Sequence, residues 1–159
     1  MEIRVKGLKS GFGSCMSYGE KLDGHLAGAL MGIQAIKGVE VGLGFEAARR
    51  RGSAVHDETY KENGKFIRKT NRAGGIEGGM SNGEEIVLRA ATLMRGLNTV
   101  DFSTGEACRA ATERSDVCAI CACEIVAEST VCFALAQKVQ ERLGGDNMRE
   151  IKERYALLP

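Results

Sequence analysis

Five of the eleven residues from Ala73 to Gly83 are glycine: Gly74, Gly75, Gly78, Gly79 and Gly83. A stretch so short of side chains buries little by itself, and each glycine raises the entropic cost of a helix or strand interior. The segment is therefore expected to turn sharply. Arg68, Lys69 and Arg72 precede it. Exposed backbone N–H groups beside cations form an anion cradle suited to phosphate or to the dipolar edge of a flavin. No Lys-Ser/Thr pair follows the glycines, so the segment is not a P-loop. A tight loop with solvated charges is the other reading.

The rest of the composition narrows the class. The chain has 159 residues, of which 43% are hydrophobic and 27% charged. This is ordinary for one globular domain, here residues 1–159. Lys+Arg 22 against Asp+Glu 21 leaves a net charge of +1, so no overall field points to nucleic acid or an anionic membrane. No uninterrupted apolar run approaches the roughly 18 residues of a membrane span, and Met1 to Lys6 lacks the apolar core of a signal peptide. A cytoplasmic protein is expected. Glycine occurs 21 times and proline once, as Pro159; average usage would give roughly 8 prolines. A body without proline raises the expectation of an edited sequence.

Hydrophobic spacing gives the elements. Glu2 to Gly7 alternates as a strand. Lys21 to Ile36 carries Leu22, Leu26, Ala29, Leu30, Ile33 and Ile36 at helical spacing and stops at Gly38, after which Val39–Val41 is a short strand. Phe45 to Arg51 reads as a helical turn or two, and Asn63-Gly64 centres a hairpin within His56–Thr70. Strands are expected at Ile86–Leu88 and Thr99–Phe102. The longest helix is expected over Cys123–Leu143, with Ile125, Val126, Val131, Phe133, Ala134, Leu135 and Val139 toward the core. A last helix, Met148–Leu157, is expected after Asp146 or Asn147. The order implies an α+β fold with an antiparallel sheet packed on long helices, because crossovers for an all-parallel sheet are too few.

Three further constellations can carry chemistry. Gly42-Leu43-Gly44-Phe45-Glu46-Ala47 follows a strand and opens a helix, matching the dinucleotide pattern G-x-G-x-x-G/A. A glycine turn is the alternative, since no second strand ends in an acid about 20 residues on. Cys118, Cys121, Cys123 and Cys132 offer thiolates to zinc or an iron–sulfur cluster, or pack as small apolar residues at the start of a helix. Arg114-Ser115-Asp116 places opposite charges where they can hold an anion and tune a proton site, or cap a helix. His25 and His56 are the only histidines.

Several longer strings carry a resemblance. Gln34-Ala35-Ile36-Lys37-Gly38-Val39-Glu40-Val41-Gly42, Gly44 to Arg49, Val55-His56-Asp57-Glu58, Thr70 to Gly83 and Thr112 to Ala119 together resemble chorismate synthase. The resemblance runs over nearly the whole chain and corresponds to the C-terminal half of that family. It implies half of a β-α-β sandwich whose two halves are similar in topology. It also implies a 1,4-elimination of phosphate from 5-enolpyruvylshikimate 3-phosphate, giving chorismate with reduced FMN. Carried over residue by residue, Gln34, Ala35, Gly78, Thr92 and Arg114 are the implied cofactor-binding residues. Arg114 and Asp116 are the implied catalytic ones, with Asp116 helping to move the proton at flavin N5. No metal is implied, and the cysteines become packing positions.

The chain also departs from the family pattern. A Met-Lys-Pro-Ile-Pro-like insert expected between Arg89-Ala90-Ala91 and Thr92-Leu93-Met94-Arg95 is missing, leaving only Thr92 of the residues for the flavin phosphate. Family prolines near Leu8, Glu84, Glu106 and Cys121 are replaced. The family's catalytic histidines and shikimate-binding arginines belong to the other half. The expectation is a truncated or engineered half-domain with impaired or absent catalysis. It would form a homodimer, or pair with a separate N-terminal half, to cover the face left apolar. A non-catalytic structural module of the same fold and a cysteine-cluster metal protein are the alternatives.

Overall fold

Ile86, Leu88 and Ala90 are buried while the alternating Val87, Arg89 and Ala91 are not, the period-two signature of a strand with one covered face. The computed structural model describes residues 1–92, 98–109 and 120–159. Its elements are β1 (Glu2–Val5), α1 (Leu22–Met31), β2 (Ile36–Val41), β3 (Thr59–Glu62), β4 (Lys65–Arg68), β5 (Ile76–Glu77), β6 (Met80–Ser81), β7 (Ile86–Thr92), β8 (Asn98–Val100), β9 (Ala107–Arg109), α2 (Ile120–Leu143) and α3 (Met148–Ala156). Short 3-10 turns occupy Tyr18–Glu20, Gly44–Arg49 and Gly52–Ala54.

The principal sheet has the order β1-β7-β2, antiparallel throughout. Ile3 faces Leu88 and Val5 faces Ile86 on one side of β7, while Val39 faces Ala90 and Val41 faces Leu88 on the other. Leu22, Leu26 and Leu30 of α1 are fully buried against this sheet together with Ala127, Val131 and Ala134 of α2. Each such leucine is worth roughly 1.5–3 kcal/mol of burial. The opposite face of the sheet is polar, carrying the Arg4–Glu85 and Arg89–Glu40 ion pairs. The mixed α/β architecture with antiparallel sheets is the one expected from the sequence.

Three hairpins stand apart from this sheet. Asn63 and Gly64 have φ of +50° and +80° and join β3 to β4 in the two-residue turn that the Asn-Gly pair favours. β5 pairs with β6 and β8 with β9. Asn147 caps α3, accepting from Glu150 N at 3.1 Å while its amide donates to Glu150 Oε1 at 2.8 Å. The Tyr155 hydroxyl, near the end of α3, accepts from Lys9 N at 3.0 Å and donates to Gly7 O, and its ring stacks on the buried Phe12. The C-terminal helix is thereby tied to the first loop.

Three expectations need correction. The first helix ends at Met31, not Ile36, because Gly32 closes it with N–H bonds to Gly28 O and Leu30 O, and Ile36 instead faces Thr92 in the sheet. β2 accordingly begins three residues earlier than the strand expected from Val39. On α2, Ile125, Val126 and Phe133 point outward, at 65%, 49% and 68% exposure. The helix is apolar around its circumference, so periodicity could not select the face that packs. It is also long and apolar enough, by length and composition, to cross a membrane. Glu124 and Glu128 interrupt the apolar residues, which is why counting unbroken runs misses it.

Candidate functional site

Gln34 and Ala35 form the exposed turn between α1 and β2. Ala35 has φ +69°, a left-handed conformation that costs a residue bearing a Cβ roughly 1–2 kcal/mol. The turn delivers Ile36 opposite Thr92, the last residue of β7. Gln34, Ala35 and the half-buried Thr92 thus gather at one end of the central strand pair. They present an amide, a strained peptide and a hydroxyl, a donor and acceptor set suited to a polar cofactor edge or a phosphate oxygen.

Gly78 is placed elsewhere. With Gly79 it forms the turn joining β5 and β6, at φ +60° and +85°. Gly79 O accepts from Leu22 N at 2.8 Å, which fixes this turn at the N-terminal end of α1. A Cβ on Gly79 would lie 2.5 Å from Lys21 Cγ and 2.8 Å from Ser14 O, so only glycine fits. A Cβ on Gly78 would meet nothing within 4 Å, so its backbone is open to a ligand. Gln34 and Ala35 lie beyond the other end of α1, whose 10 residues span about 15 Å. The structure therefore brings Gln34, Ala35 and Thr92 together and leaves Gly78 apart from them. Arg114 and Asp116, with Cys118, lie outside the described residues.

The dinucleotide reading of Gly42–Ala47 is overturned by local hydrogen bonds. In the Gly42–Ala47 segment, Gly42 N bonds Val87 O at 2.9 Å and Leu43 N bonds Arg72 O at 2.8 Å. Phe45 N is taken by Glu40 Oε1 at 2.9 Å. A Cβ on Gly42 would come within 2.2 Å of Arg72 O, so the loop is pressed against its neighbour, with no room there for a pyrophosphate. It leads into a 3-10 turn instead of an α-helix. The glycine turn is the correct alternative.

The loop that precedes Gly74 already holds an anion of its own. Asp57 Oδ1 accepts from Arg72 N at 2.9 Å and from the Thr70 hydroxyl, and Oδ2 accepts from Ala73 N at 2.8 Å. Burial pushes the Asp57 carboxyl up, but the bonds from Thr70, Ala73 and Arg72 and the Arg72 charge outweigh it and hold it below the usual carboxylate range. The N–H groups at Arg72 and Ala73 are filled from within the chain. Gly75 N is likewise taken by Asn71 Oδ1 at 2.8 Å. In the sequence, Asp57 stands out only as part of the Val55-His56-Asp57-Glu58 string.

Beside Asp57, a cleft of about 200 Å³ is lined by His56, Glu58, Tyr60, Lys69 and Arg72. Hydrogen bonding to Glu58, and its charge, push the Tyr60 hydroxyl above its ordinary value. The described cysteines of the cluster, Cys121, Cys123 and Cys132, do not converge. Cys121 and Cys132 stand on one helix eleven residues apart, about 16 Å of rise, whereas zinc–thiolate bonds are about 2.3 Å. Cys123 faces another side of α2 from Cys121. Among the described residues no group of three His, Cys, Asp or Glu is arranged to hold a metal.

The family model described as chorismate synthase matches residues 1–140. The chain belongs to the chorismate synthase family. It is 52% identical over 158 residues to the chorismate synthase of Syntrophotalea carbinolica, an alignment covering 96% of this chain and 41% of that protein. It is 56% identical over 156 residues to the chorismate synthase of Paenarthrobacter aurescens, covering 94% and 39%. A crystal structure of a chorismate synthase superposes with a TM-score of 0.80 at 40% identity, covering 98% of this chain and 40% of that one. The chain spans about two fifths of the length of the chorismate synthases it matches. The sheet and helices described above are thus a chorismate synthase substructure, and α2 belongs to it.

Proposed function

We propose that this chain carries part of the FMN site of a chorismate synthase, built on Gln34, Ala35 and Thr92, with Gly78, Arg114 and Asp116 completing the set. The supporting observation is the register of Thr92 opposite Ile36, which keeps the last family flavin-phosphate residue beside the Gln34-Ala35 turn despite the missing insert. The residues fit the group: an open turn, a hydroxyl, and at Gly78 a position where a Cβ would meet none of the described residues within 4 Å.

Reduced FMN supplies electron density to the electron-poor transition state of the family reaction, the 1,4-elimination of phosphate from 5-enolpyruvylshikimate 3-phosphate. On this reading Gln34 and the Ala35 peptide orient the cofactor, Thr92 hydrogen-bonds its phosphate, Arg114 holds anionic charge, and Asp116 moves a proton. The chain alone has impaired or no elimination activity, because the family's catalytic histidines and shikimate-binding arginines belong to sequence it does not contain. Its site of action is the cytoplasm. The test is an FMN titration of the wild type against Thr92→Val, Arg114→Ala and Arg72→Ala. Weaker binding is expected for the first two, and an equal loss for Arg72→Ala counts against the assignment.

A non-catalytic module of the same fold is the second reading, and the uncharged outer face of α2 is the observation that favours it.

A further inference from the structure

Glu77 is the last residue of β5 and stands directly before the open Gly78. Two donors from different elements converge on one oxygen of its carboxylate. Arg68 Nη2, at the end of β4, and the Asn82 side-chain amide, just beyond β6, each donate to Oε2 at 2.8 Å. A glutamate at the surface keeps its rotamer freedom unless something holds it, and holding it costs entropy. Here the carboxylate is held, and the direction of its second oxygen, Oε1, is set with it. None of the described residues donates to Oε1, and the side chain is 43% exposed.

The frame around this carboxylate is fixed on every side. Asn82 N donates to Gly75 O at 3.0 Å, and Asn82 Oδ1 accepts from Glu84 N at 3.0 Å, so the amide that grips Glu77 is itself held. On β6, the buried Ser81 donates from N to Phe12 O at 2.8 Å and from its hydroxyl to Lys9 O at 2.7 Å, while Ser81 O accepts from Gly11 N at 2.7 Å. Leu22 N holds Gly79 O. The Gly78 peptide and the Glu77 carboxylate are therefore one pre-set unit, and a ligand contact there needs little further ordering of the chain.

We infer that Glu77 is a further cofactor-binding residue, whose Oε1 accepts a hydrogen bond from a donor on the ribityl or isoalloxazine part of the flavin lying over Gly78. This deepens the FMN assignment and rests on it. A carboxylate accepts and does not donate. Phosphate oxygens are acceptors too, so the flavin phosphate is turned away from Glu77 and toward Thr92, whose hydroxyl can donate. The ribityl hydroxyls and the isoalloxazine N3–H are donors that match Oε1. Arg68 balances the carboxylate's charge, so covering Glu77 with a cofactor leaves no unpaired charge in contact with it. A hydrogen bond to a charged acceptor is also stronger than one between neutral groups.

Fluorescence titration of riboflavin and of FMN against the wild type, Glu77→Gln and Glu77→Ala tests it. One amide oxygen can still receive Arg68 and Asn82, but the amide nitrogen then replaces Oε1, so Glu77→Gln keeps the frame and turns the acceptor into a donor. The expected result is a loss of about tenfold or more for both flavins in Glu77→Gln, at unchanged far-UV circular dichroism, and no smaller loss in Glu77→Ala. Thr92→Val, by contrast, weakens FMN and leaves riboflavin unchanged. A loss confined to Glu77→Ala reduces Glu77 to a scaffold and overturns the inference. So does a Glu77→Gln variant that loses FMN while binding riboflavin as the wild type does. In both of those outcomes the FMN assignment stands, whereas a wild type that binds neither flavin overturns the assignment and this inference together.

Discussion

The Asp57 carboxylate accepts a hydrogen bond from Ala73 N at 2.8 Å, sixteen residues along the chain, and this contact clamps the 3-10 turns and the β3-β4 hairpin to the glycine-rich loop. Three donors converge on the one side chain, so the Arg72-Ala73 entry to the glycine-rich loop is filled by an internal anion.

Asp57→Asn is expected to destabilise the fold by about 1–2 kcal/mol at pH 7, the order of one or two charge-assisted hydrogen bonds. The pH dependence has a definite sign. The folded carboxyl titrates below its ordinary 3.8, so its stabilisation is complete above that value and is lost as pH falls through the lower folded value. Urea unfolding between pH 7 and pH 2.5 should show a steeper acid loss in the wild type than in Asp57→Asn.

Ala35→Gly is expected to raise stability by about 0.5–1 kcal/mol, because relief of the left-handed strain exceeds the added freedom of the unfolded chain. Ala35→Val is expected to lower it, since a β-branched residue resists φ +69° more strongly than alanine. Thermal melting of the two variants reads the difference directly.

Gly79→Ala should cost more stability than Gly78→Ala, by at least about 1 kcal/mol, since both strain the backbone but only the former drives a Cβ into Ser14 O and Lys21. Chemical denaturation of the pair separates steric closure at Gly79 from openness at Gly78. Equal losses would mean that Gly78 is also enclosed.

Thr92→Val keeps the shape of the strand end and removes one hydroxyl. If that hydroxyl bonds the flavin phosphate, FMN affinity should fall about tenfold, the equivalent of one net hydrogen bond. Unchanged circular dichroism would confine the effect to binding, and unchanged affinity would remove Thr92 from the site.

What the sequence disclosed depended on how local the signal was. The Asn63-Gly64 hairpin, a cap for the last helix at Asp146 or Asn147 and a strand at Ile86–Leu88 were legible because each is decided within a few residues. The end of α1 was not. Ile33 and Ile36 continue a helical spacing, and only pairing with Thr92, across 56 residues of chain, draws Ile36 into the sheet. The packed face of α2 was hidden because its apolar residues encircle the helix. Of the candidate site, the Gln34-Ala35 turn and Thr92 came from family resemblance, while their adjacency came from sheet register. Asp57 escaped notice because an acid filling backbone N–H groups sixteen residues away leaves no periodic or spacing signature.

A native mass spectrum of the purified chain with FMN in excess tests the central claim most directly. One FMN retained per chain, and lost in Thr92→Val, is the result expected of a chorismate synthase half-site built on Gln34, Ala35 and Thr92. A chain that stays free of flavin at every FMN concentration, whatever its subunit number, would contradict it.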